Sequence, residues 1–170
     1  MKSKFTLWSA VIALCFTLIG PTVARAQEGD SDLSKEWTLR LGTFIANSQT
    51  TRSKMGTFAI AGYADRTVFD GEKYKLTVGF GYVGGENFYS VPIMLNAVWK
   101  HNKMYFGGGF GYAFGKRLDG RPMGAISLDA LVGTQLNTGK NALSAELRYS
   151  FIGGSDNELD GLSVTLGMHL

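Results

Sequence analysis

The stretch Gly161-Leu162-Ser163-Val164-Thr165-Leu166-Gly167-Met168-His169-Leu170 alternates apolar and polar residues up to the last position of this 170-residue sequence. Alternation with a period of two residues indicates a β-strand with one apolar face. An exposed edge strand invites aggregation, and soluble domains seldom leave one unprotected. A terminal strand that pairs with the first strand of its own sheet has no free edge. The stretch therefore predicts a closed barrel.

Seven segments upstream share this period, with large apolar residues alternating with glycine, serine, threonine and a few charged residues. Their lengths, near ten residues, match tilted strands that cross a bilayer. The predicted fold class is all-β, an eight-stranded antiparallel up-and-down transmembrane β-barrel. The strands are predicted at about 36–46, 54–68, 73–83, 90–100, 103–114, 123–136, 142–152 and 161–170.

The second predicted strand, 54–68, has the weakest pattern, because two alternations compete for its apolar face. The choice between inward and outward positions stays open there. Either of two sets of alternate positions could form the apolar face: one contains Phe58 and Ile60, and the other contains Ala59, Ala61 and Tyr63.

The connections alternate in length. Tight hairpin turns are predicted at Asp70-Gly71, at His101-Asn102 and at 137–140, since Asp-Gly supplies the positive φ angles of a two-residue turn. Short turns at one end and longer loops at the other are the topology of bacterial outer-membrane barrels, with the turns periplasmic. The longer polar loops are predicted at about 47–53, 84–89, 115–122 and 153–161.

The first 26 residues have the three parts of an export signal. Lys2 and Lys4 precede an apolar run over 7–19, and Ala24-Arg25-Ala26 is a small-x-small cleavage site. The run of about 13 residues is too short for a membrane-spanning helix, which needs about 20. The predicted organisation is a cleaved signal peptide at 1–26, a short periplasmic leader at 27–35 and an outer-membrane barrel at 36–170.

Charge and cysteine content after cleavage exclude several classes of function. Loss of Lys2, Lys4 and Arg25 lowers the Lys and Arg count from 17 to 14, equal to the 14 Asp and Glu. A formally neutral chain gives no indication of a nucleic-acid partner. The single cysteine, Cys15, leaves with the signal, which excludes a disulfide and a cysteine-ligated metal. We expect no cofactor and no metal, and the oligomeric state stays open.

A soluble exported barrel of the lipocalin kind would also alternate, with its apolar face inward and a charged face in water. Here the polar face is rich in glycine, serine and threonine and poor in charge, as the crowded interior of a small cylinder requires. Large aromatic residues lie near the strand ends, where an interfacial girdle is expected. These two features favour the membrane barrel. The predicted girdle consists of Trp37, Tyr74, Tyr82, Trp99, Phe114 and Tyr149.

With these residues in view, the chain resembles the small eight-stranded bacterial outer-membrane β-barrel proteins, of the type of the OmpA transmembrane domain and OmpX, over residues 36–170. The final strand, 162–170, looks like the C-terminal signal that the barrel-assembly machinery recognises. The resemblance implies residence in the outer membrane of a Gram-negative cell envelope and assembly by that machinery. It implies no single function, because its members include anchors, adhesion-related proteins and lipid-modifying enzymes.

Charged and amide side chains are predicted to line the lumen, where isolated charges are very costly and must pair. One interpretation is an ion pathway or a gate made of exchangeable salt bridges, and inward glycines could also leave a cavity for a small ligand. The other is a polar plug, which we favour because an eight-stranded barrel is just wide enough for its own side chains. The predicted lumenal network consists of Arg40, Lys75, Asn96, Asp129, Glu146 and Arg148.

The predicted outer loops contain five basic residues that could attract lipopolysaccharide phosphates. Pairing with Asp156, Glu158 and Asp160 in the last loop is the alternative, and solvated pairs of this kind contribute little stability. Outer-membrane lipid and lipopolysaccharide are the expected non-protein partners. The basic residues are Arg52, Lys54, Lys116, Arg117 and Arg121.

Serine hydrolysis is not expected. Lipid A deacylases of similar size use a His-x-Ser arrangement near the outer leaflet, and neither His101 nor His169 has a serine two residues on. Both histidines are also predicted at the periplasmic end. The predicted function is therefore a non-enzymatic integral outer-membrane protein with a structural or small-scale interaction role. A narrow channel or lumenal ligand binder is the first alternative, and a lipid A-modifying enzyme is the second.

Overall fold

The last strand of this protein pairs with the first. In the computed structural model, eight antiparallel strands follow one another in chain order and close into a barrel. The predicted fold class is confirmed. The closing strands lie with Arg40 opposite Gly167 and Gly42 opposite Thr165, and the Leu170 N–H donates to the Trp37 carbonyl at 2.8 Å.

The structure describes residues 37–55, 58–85, 88–137, 142–154 and 157–170, which all belong to one compact unit, Ser34–Leu170. The predicted signal peptide 1–26, the leader 27–35 and turn positions 138–140 lie outside the described residues, as does Asp156. The elements are β1 Trp37–Ala46, α1 Gln49–Met55, β2 Ala59–Asp70, β3 Tyr74–Gly84, β4 Tyr89–His101, β5 Met104–Lys116, β6 Pro122–Gln135, β7 Leu143–Ile152 and β8 Gly161–His169.

The helix α1 lies where the sequence predicted a polar loop at 47–53 and the start of a strand at 54. Ser48 is the N-cap residue of this helix and satisfies the backbone N–H groups of its first turn. The Ser48 carbonyl accepts the Arg52 N–H at 3.0 Å, and the Ser48 hydroxyl accepts the Thr51 N–H at 3.4 Å. The short helix takes up positions 54 and 55, so β2 begins only at Ala59.

The structure decides the faces of β2. Phe58 and Ile60 point outward, whereas Ala61, Tyr63 and Asp65 are buried inside the barrel. A β-bulge between Thr67 and Phe69 then breaks the alternation near the end of the strand. The bulge and the many small residues explain why periodicity alone left this strand ambiguous.

The two ends of the barrel differ in their connections. At one end, called the turn end here, β2–β3 and β4–β5 are joined tightly: the Gly71 N–H donates to the Tyr74 carbonyl at 2.8 Å, and Asn102 has φ 55° in the turn Asn102-Lys103. The opposite end, called the loop end, contains α1 and the longer connections after β3, β5 and β7. The connections after β2 and β4 are short, as predicted. The β6–β7 connection, predicted as a tight turn at 137–140, spans 136–142 and is longer than those after β3 and β5, so the predicted alternation of short and long connections holds only in part.

The outward face of the barrel is largely apolar, with Arg66 of β2 as a charged exception away from the strand ends. Leu41 is 72% exposed, Leu166 65% and Ile60 64%, and large hydrophobic side chains of the other strands are exposed in the same way. Soluble monomers rarely expose a contiguous apolar surface of such extent. Among the described residues, no helix is both long and apolar enough to cross a membrane.

The interior has two layers. Toward the loop end it is apolar and includes Phe44, Val83 and Phe88. Between this layer and the turns lies a buried polar layer built around Arg40 and Arg148. The polarity of the barrel is thus inverted relative to a soluble domain, with charges inside and hydrocarbon outside.

Candidate functional site: the barrel interior and its two rims

Arg148 is the centre of the polar layer, with 2% of its surface exposed. Its Nε donates to Glu146 Oε1 at 3.0 Å, and its Nη1 donates to Asp129 Oδ2 at 3.3 Å. Its Nη2 lies 3.6 Å from Asp65 Oδ2. The guanidinium also sits 4.3 Å from the ring centroid of Tyr63, a cation–π contact. One arginine therefore neutralises carboxylates from three strands.

Arg40 completes this cluster from the closing strand. Its Nη1 pairs with the Asp65 carboxylate, and its Nε lies 3.1 Å from Glu146 Oε2. Asp65 and Glu146 each contact both arginines, so the two cations are bridged twice. This bridging links β1, β2 and β7 through the lumen, and the Arg148–Asp129 pair adds β6. We call Arg40, Asp65, Asp129, Glu146 and Arg148 the lumenal charge cluster.

Neutral polar groups surround the lumenal charge cluster. Asn96 donates through Nδ2 to Asp65 Oδ1 at 3.4 Å and to Thr77 Oγ1 at 3.3 Å. The Tyr105 hydroxyl donates to Glu146 Oε2 at 3.2 Å. The Tyr63 and Ser163 hydroxyls lie 2.8 Å apart. Asn96 thus reaches Asp65 Oδ1, an oxygen outside the ion pairs with the two arginines, whereas Tyr105 shares Glu146 Oε2 with Arg40.

Inward glycines make room for these side chains. A Cβ at Gly79 would overlap the Asp65 carboxylate, and one at Gly109 would overlap the Asn96 side-chain oxygen. A Cβ at Gly133 would likewise overlap the Tyr105 ring. The space beside each of these glycines is thus occupied by a neighbouring side chain.

The predicted lumenal residues fall into two groups. Arg40, Asn96, Asp129, Glu146 and Arg148 lie in the lumenal charge cluster or next to it. Lys75 is half-buried on the inward face nearer the turns, opposite Asp70 and Val98 in the ladder.

One charged residue of the interior, Asp65, was missed from sequence. Asp65 was overlooked because the faces of β2 were undecided, although Tyr63 and Thr67 at the same parity were signals that this face carries polar groups. Lys100, which the alternation places on the inward face at the turn end, pairs with Asp70 through Nζ and Oδ1 at 2.6 Å and is partly exposed.

The loop end is filled by apolar side chains. Leu159, from the β7–β8 connection, is fully buried in a cluster with Phe88, Ala113, Met123 and Ile152. The neighbouring Asp160 holds the connection in place: its Oδ1 accepts the Ile152 N–H at 2.8 Å, and its carbonyl accepts the Asn47 N–H at 2.7 Å. We call this apolar cluster the loop-end plug.

Leu159→Ala is expected to lower the free energy of unfolding by about 2 kcal/mol or more, because truncating a fully buried leucine leaves a cavity. Urea unfolding of the barrel in detergent, followed by tryptophan fluorescence, measures this change. The control is Leu118→Ala, a half-buried residue at the edge of the same cluster, which should cost less. Equal losses from both variants would contradict a packed plug.

The five basic residues predicted in the outer loops have different surroundings. Arg52 donates to the carbonyls of Ala46 and Asn47 at 2.7 and 2.8 Å. Arg117 pairs with Glu158 at 3.5 Å, and Arg121 pairs with Asp119 at 3.4 Å.

The remaining two, Lys54 and Lys116, lie at the loop end and form no ion pair with the described residues. Lys54 is exposed, and Lys116 is half-buried at the end of β5. Of the five basic residues, these two are the ones whose charged groups have no ion-pair or hydrogen-bond partner among the described residues.

The two histidines lie at the turn end. His101 ends β4 and is exposed, and the His169 Nδ1 lies 3.1 Å from the Thr38 hydroxyl oxygen. Within the described ranges, no group of three or more His, Cys, Asp or Glu side chains is arranged to hold a metal ion.

Outward aromatic residues form two rows, one at each end. At the turn end Trp99 contacts Tyr74 and Phe106, with ring centroids 5.6 and 5.5 Å apart. At the loop end Tyr82 stacks on Tyr89 at 6.0 Å, and a Tyr112–Phe114 pair lies at 4.9 Å. Trp37 and Tyr149 of the predicted girdle are exposed on the same outward face. Two aromatic rows that border an apolar belt are the pattern of interfacial girdles.

Comparison with solved structures shows which known proteins share this architecture. The crystal structure of Neisserial surface protein A (NspA) matches with a TM-score of 0.63 and 15% identity, covering 79% of this chain and 95% of that one. The backbone structure of the Yersinia pestis outer membrane protein Ail in a phospholipid bilayer nanodisc matches at 0.54 and 12% identity, covering 80% and 99%. The chain has the fold of the small eight-stranded outer-membrane β-barrels.

A de novo designed transmembrane β-barrel shares the same fold, with a TM-score of 0.51, 9% identity and coverage of 80% of this chain and 96% of that one. No protein-family model matches the chain, and no curated protein matches its sequence. The function must therefore be argued from the geometry of this barrel, since natural and designed chains with this fold need share no activity.

Proposed function

We propose that this chain is an integral protein of a Gram-negative-type outer membrane, with a structural or small-scale interaction role and no catalytic activity. One observation carries the proposal: the polarity of the barrel is inverted, with exposed leucine, isoleucine and aromatic side chains outside and the lumenal charge cluster inside. A closed barrel is one of the two structures that satisfy every backbone group within a bilayer. The fold shared with NspA and Ail supports the outer membrane as the location.

The proposed lumen is plugged. Five charged side chains, the ring of Tyr63 and the loop-end plug occupy the interior, and the spaces beside inward glycines are taken by Asp65, Asn96 and Tyr105. An ion crossing this interior would have to break paired, buried charges, which is strongly unfavourable. A narrow channel or lumenal ligand site is for this reason the weaker alternative.

A lipid A-modifying enzyme is the other alternative. The structure places both histidines at the turn end, the end opposite the leaflet that contains lipopolysaccharide in the proposed orientation. We therefore assign no catalytic role to either histidine.

The proposed contacts with the envelope follow the same orientation. Lipopolysaccharide phosphates would meet Lys54 and Lys116 at the loop end, while Arg52, Arg117 and Arg121 are already engaged within the chain. Export is assigned to the signal 1–26, and recognition by the barrel-assembly machinery to the strand 162–170.

The first test is cellular fractionation of the full chain expressed in a Gram-negative host. We expect the protein in the outer-membrane fraction, with a gel mobility that changes on heating, because a closed barrel resists detergent until it is boiled. The matched control lacks residues 1–26 and should stay in the cytoplasm. Recovery of the full chain as a soluble periplasmic protein would contradict the proposal.

The second test is conductance in planar bilayers. A plugged lumen should give no large, stable single-channel current, whereas a general porin inserted in the same way serves as the positive control. A reproducible stable current from the purified protein would favour the channel over the plugged barrel.

A further inference from the structure

Arg66 is a charged side chain on the lipid-facing side of the barrel. Its neighbours in the chain, Asp65 and Thr67, are buried inside, and its ladder partners are the outward residues Trp37 and Val78. Every other charged side chain that lies on a described strand away from its ends faces the lumen. A single outward charge in an otherwise apolar belt requires an explanation, because an arginine surrounded by hydrocarbon is strongly disfavoured.

The level of Arg66 along the barrel supplies that explanation. It lies opposite Trp37, the first residue of β1, and four residues before the end of β2, so it belongs to the turn end. Trp37, Trp99 and Tyr74 mark the aromatic row at this end. Tryptophan and tyrosine prefer the depth of lipid headgroups. The guanidinium therefore lies near the headgroups and not at the centre of the bilayer.

The surroundings of Arg66 leave its charge uncompensated. It is half-buried, and it forms no ion pair or hydrogen bond with the described part of the chain. In the adjacent β2–β3 turn the exposed side chains of Glu72 and Lys73 carry opposite charges, so this turn adds no net charge beside Arg66. A guanidinium with five donors fits a phosphate group with two parallel hydrogen bonds.

The face of β2 beyond Arg66 has room for an acyl chain. Ala64 and Gly62 are the next outward residues toward the loop end. β2 itself projects no bulky side chain at these two positions, and the stretch is bordered by Leu41 of β1, whose side chain would lie 3.4 Å from a Cβ built at Gly62. A lipid whose headgroup sits at Arg66 can therefore lay a chain along β2.

We propose that Arg66, beside Trp37, binds the phosphate headgroup of a membrane phospholipid in the leaflet at the turn end. The site rests on the proposed insertion of the barrel in a bilayer and goes beyond it, since it assigns a lipid class to one position. In the orientation proposed above, this is the periplasmic leaflet, on the side away from lipopolysaccharide.

Quenching of Trp37 fluorescence tests the site. The full protein carries Trp8→Phe and Trp99→Phe, which leave Trp37 as the only tryptophan. It is purified in maltoside micelles, which contain no phosphate, and titrated with phosphatidylglycerol or with diacylglycerol, both bearing the same brominated chains. We expect half-quenching at about a fivefold lower mole fraction of phosphatidylglycerol, as a charge-assisted contact requires.

Variants separate the headgroup contact from general adsorption. Arg66→Gln should abolish the preference for phosphatidylglycerol, and Arg66→Lys should retain part of it. The matched control is Lys103→Gln, which removes an exposed positive charge from the β4–β5 turn at the same end of the barrel and should leave the preference unchanged. Heat-dependent gel mobility verifies that each variant is folded.

Other outcomes overturn the site or the proposed function separately. Equal quenching by both lipids, or an unchanged preference in Arg66→Gln, would overturn the phospholipid site and indicate an acidic group of another protein as the counter-charge. No quenching by either lipid in the folded protein would show that Trp37 does not face hydrocarbon, which contradicts membrane insertion itself.

Discussion

Replacing Arg148 with alanine is expected to lower the free energy of unfolding by about 3–5 kcal/mol, the largest effect of any single substitution considered for this barrel. The guanidinium contacts Glu146 at 2.9 Å, Asp129 at 3.3 Å and Asp65 at 3.6 Å, all of them buried. Without it, only Arg40 would remain to face three carboxylates in the cluster. Removing one member of a buried ion pair leaves the other charge buried without a partner, and no attraction then offsets the free energy of its desolvation.

Urea unfolding in lipid vesicles, monitored by gel mobility without heating, measures this loss. The control is Lys100→Met, which breaks the partly exposed pair with Asp70 and should cost less than about 1 kcal/mol. A loss below about 1 kcal/mol for Arg148→Ala as well would mean that the lumen is hydrated enough to solvate the carboxylates, since solvated ion pairs contribute that little. That result would favour a narrow channel over a plugged barrel.

Gly42→Val is expected to impair closure of the barrel and to cost about 3 kcal/mol or more, at the upper end of overpacking. A Cβ at position 42 would overlap the Val164 carbonyl oxygen and approach the Thr165 Cα at 2.7 Å. These are backbone atoms of β8, so no side-chain rotation can relieve the clash. The β1–β8 ladder would have to separate at Gly42.

The matched control is Gly62→Val, one strand away, where a Cβ would meet only the flexible end of Leu41 at 3.4 Å and the Arg40 carbonyl at 3.8 Å. This variant should insert and fold like the parent protein. The measurement is the fraction of chains that migrate as the compact, unheated form after refolding into vesicles. Equal yields for the two variants would show that the closing strands tolerate a side chain between them.

The strand pattern was largely predictable because the barrel wall separates two unlike environments. Each residue of β3 and β7 faces either hydrocarbon or the lumen, so apolar and polar residues alternate up to Tyr82 and Phe151, beyond which the interior is apolar. The faces of β2 stayed open, its start was predicted too early, and α1 was not predicted. In β2, alanine and glycine fit either side, and a bulge interrupts the period. In α1, a serine N-cap organises seven residues without any apolar periodicity.

The candidate sites were predicted less completely. Alternation identified Arg40, Asp129, Glu146 and Arg148 as inward residues, but it could not say which of them touch. Their contacts depend on the register between neighbouring strands, for example Arg40 opposite Tyr63 and Gly133 opposite Glu146. Asp65 and Arg66, adjacent in the chain, have opposite surroundings that only the faces of β2 reveal.

The sequence by itself determined that this is a barrel of eight antiparallel strands with an apolar exterior, because a period of two residues records which face of each strand meets lipid. Only the tertiary structure decided which charges meet in the lumen, that Leu159 fills the loop end and that one arginine is left outside. The reason is that alternation specifies a face but not a neighbour. Neighbours depend on the register and tilt at which the closed sheet brings distant strands together.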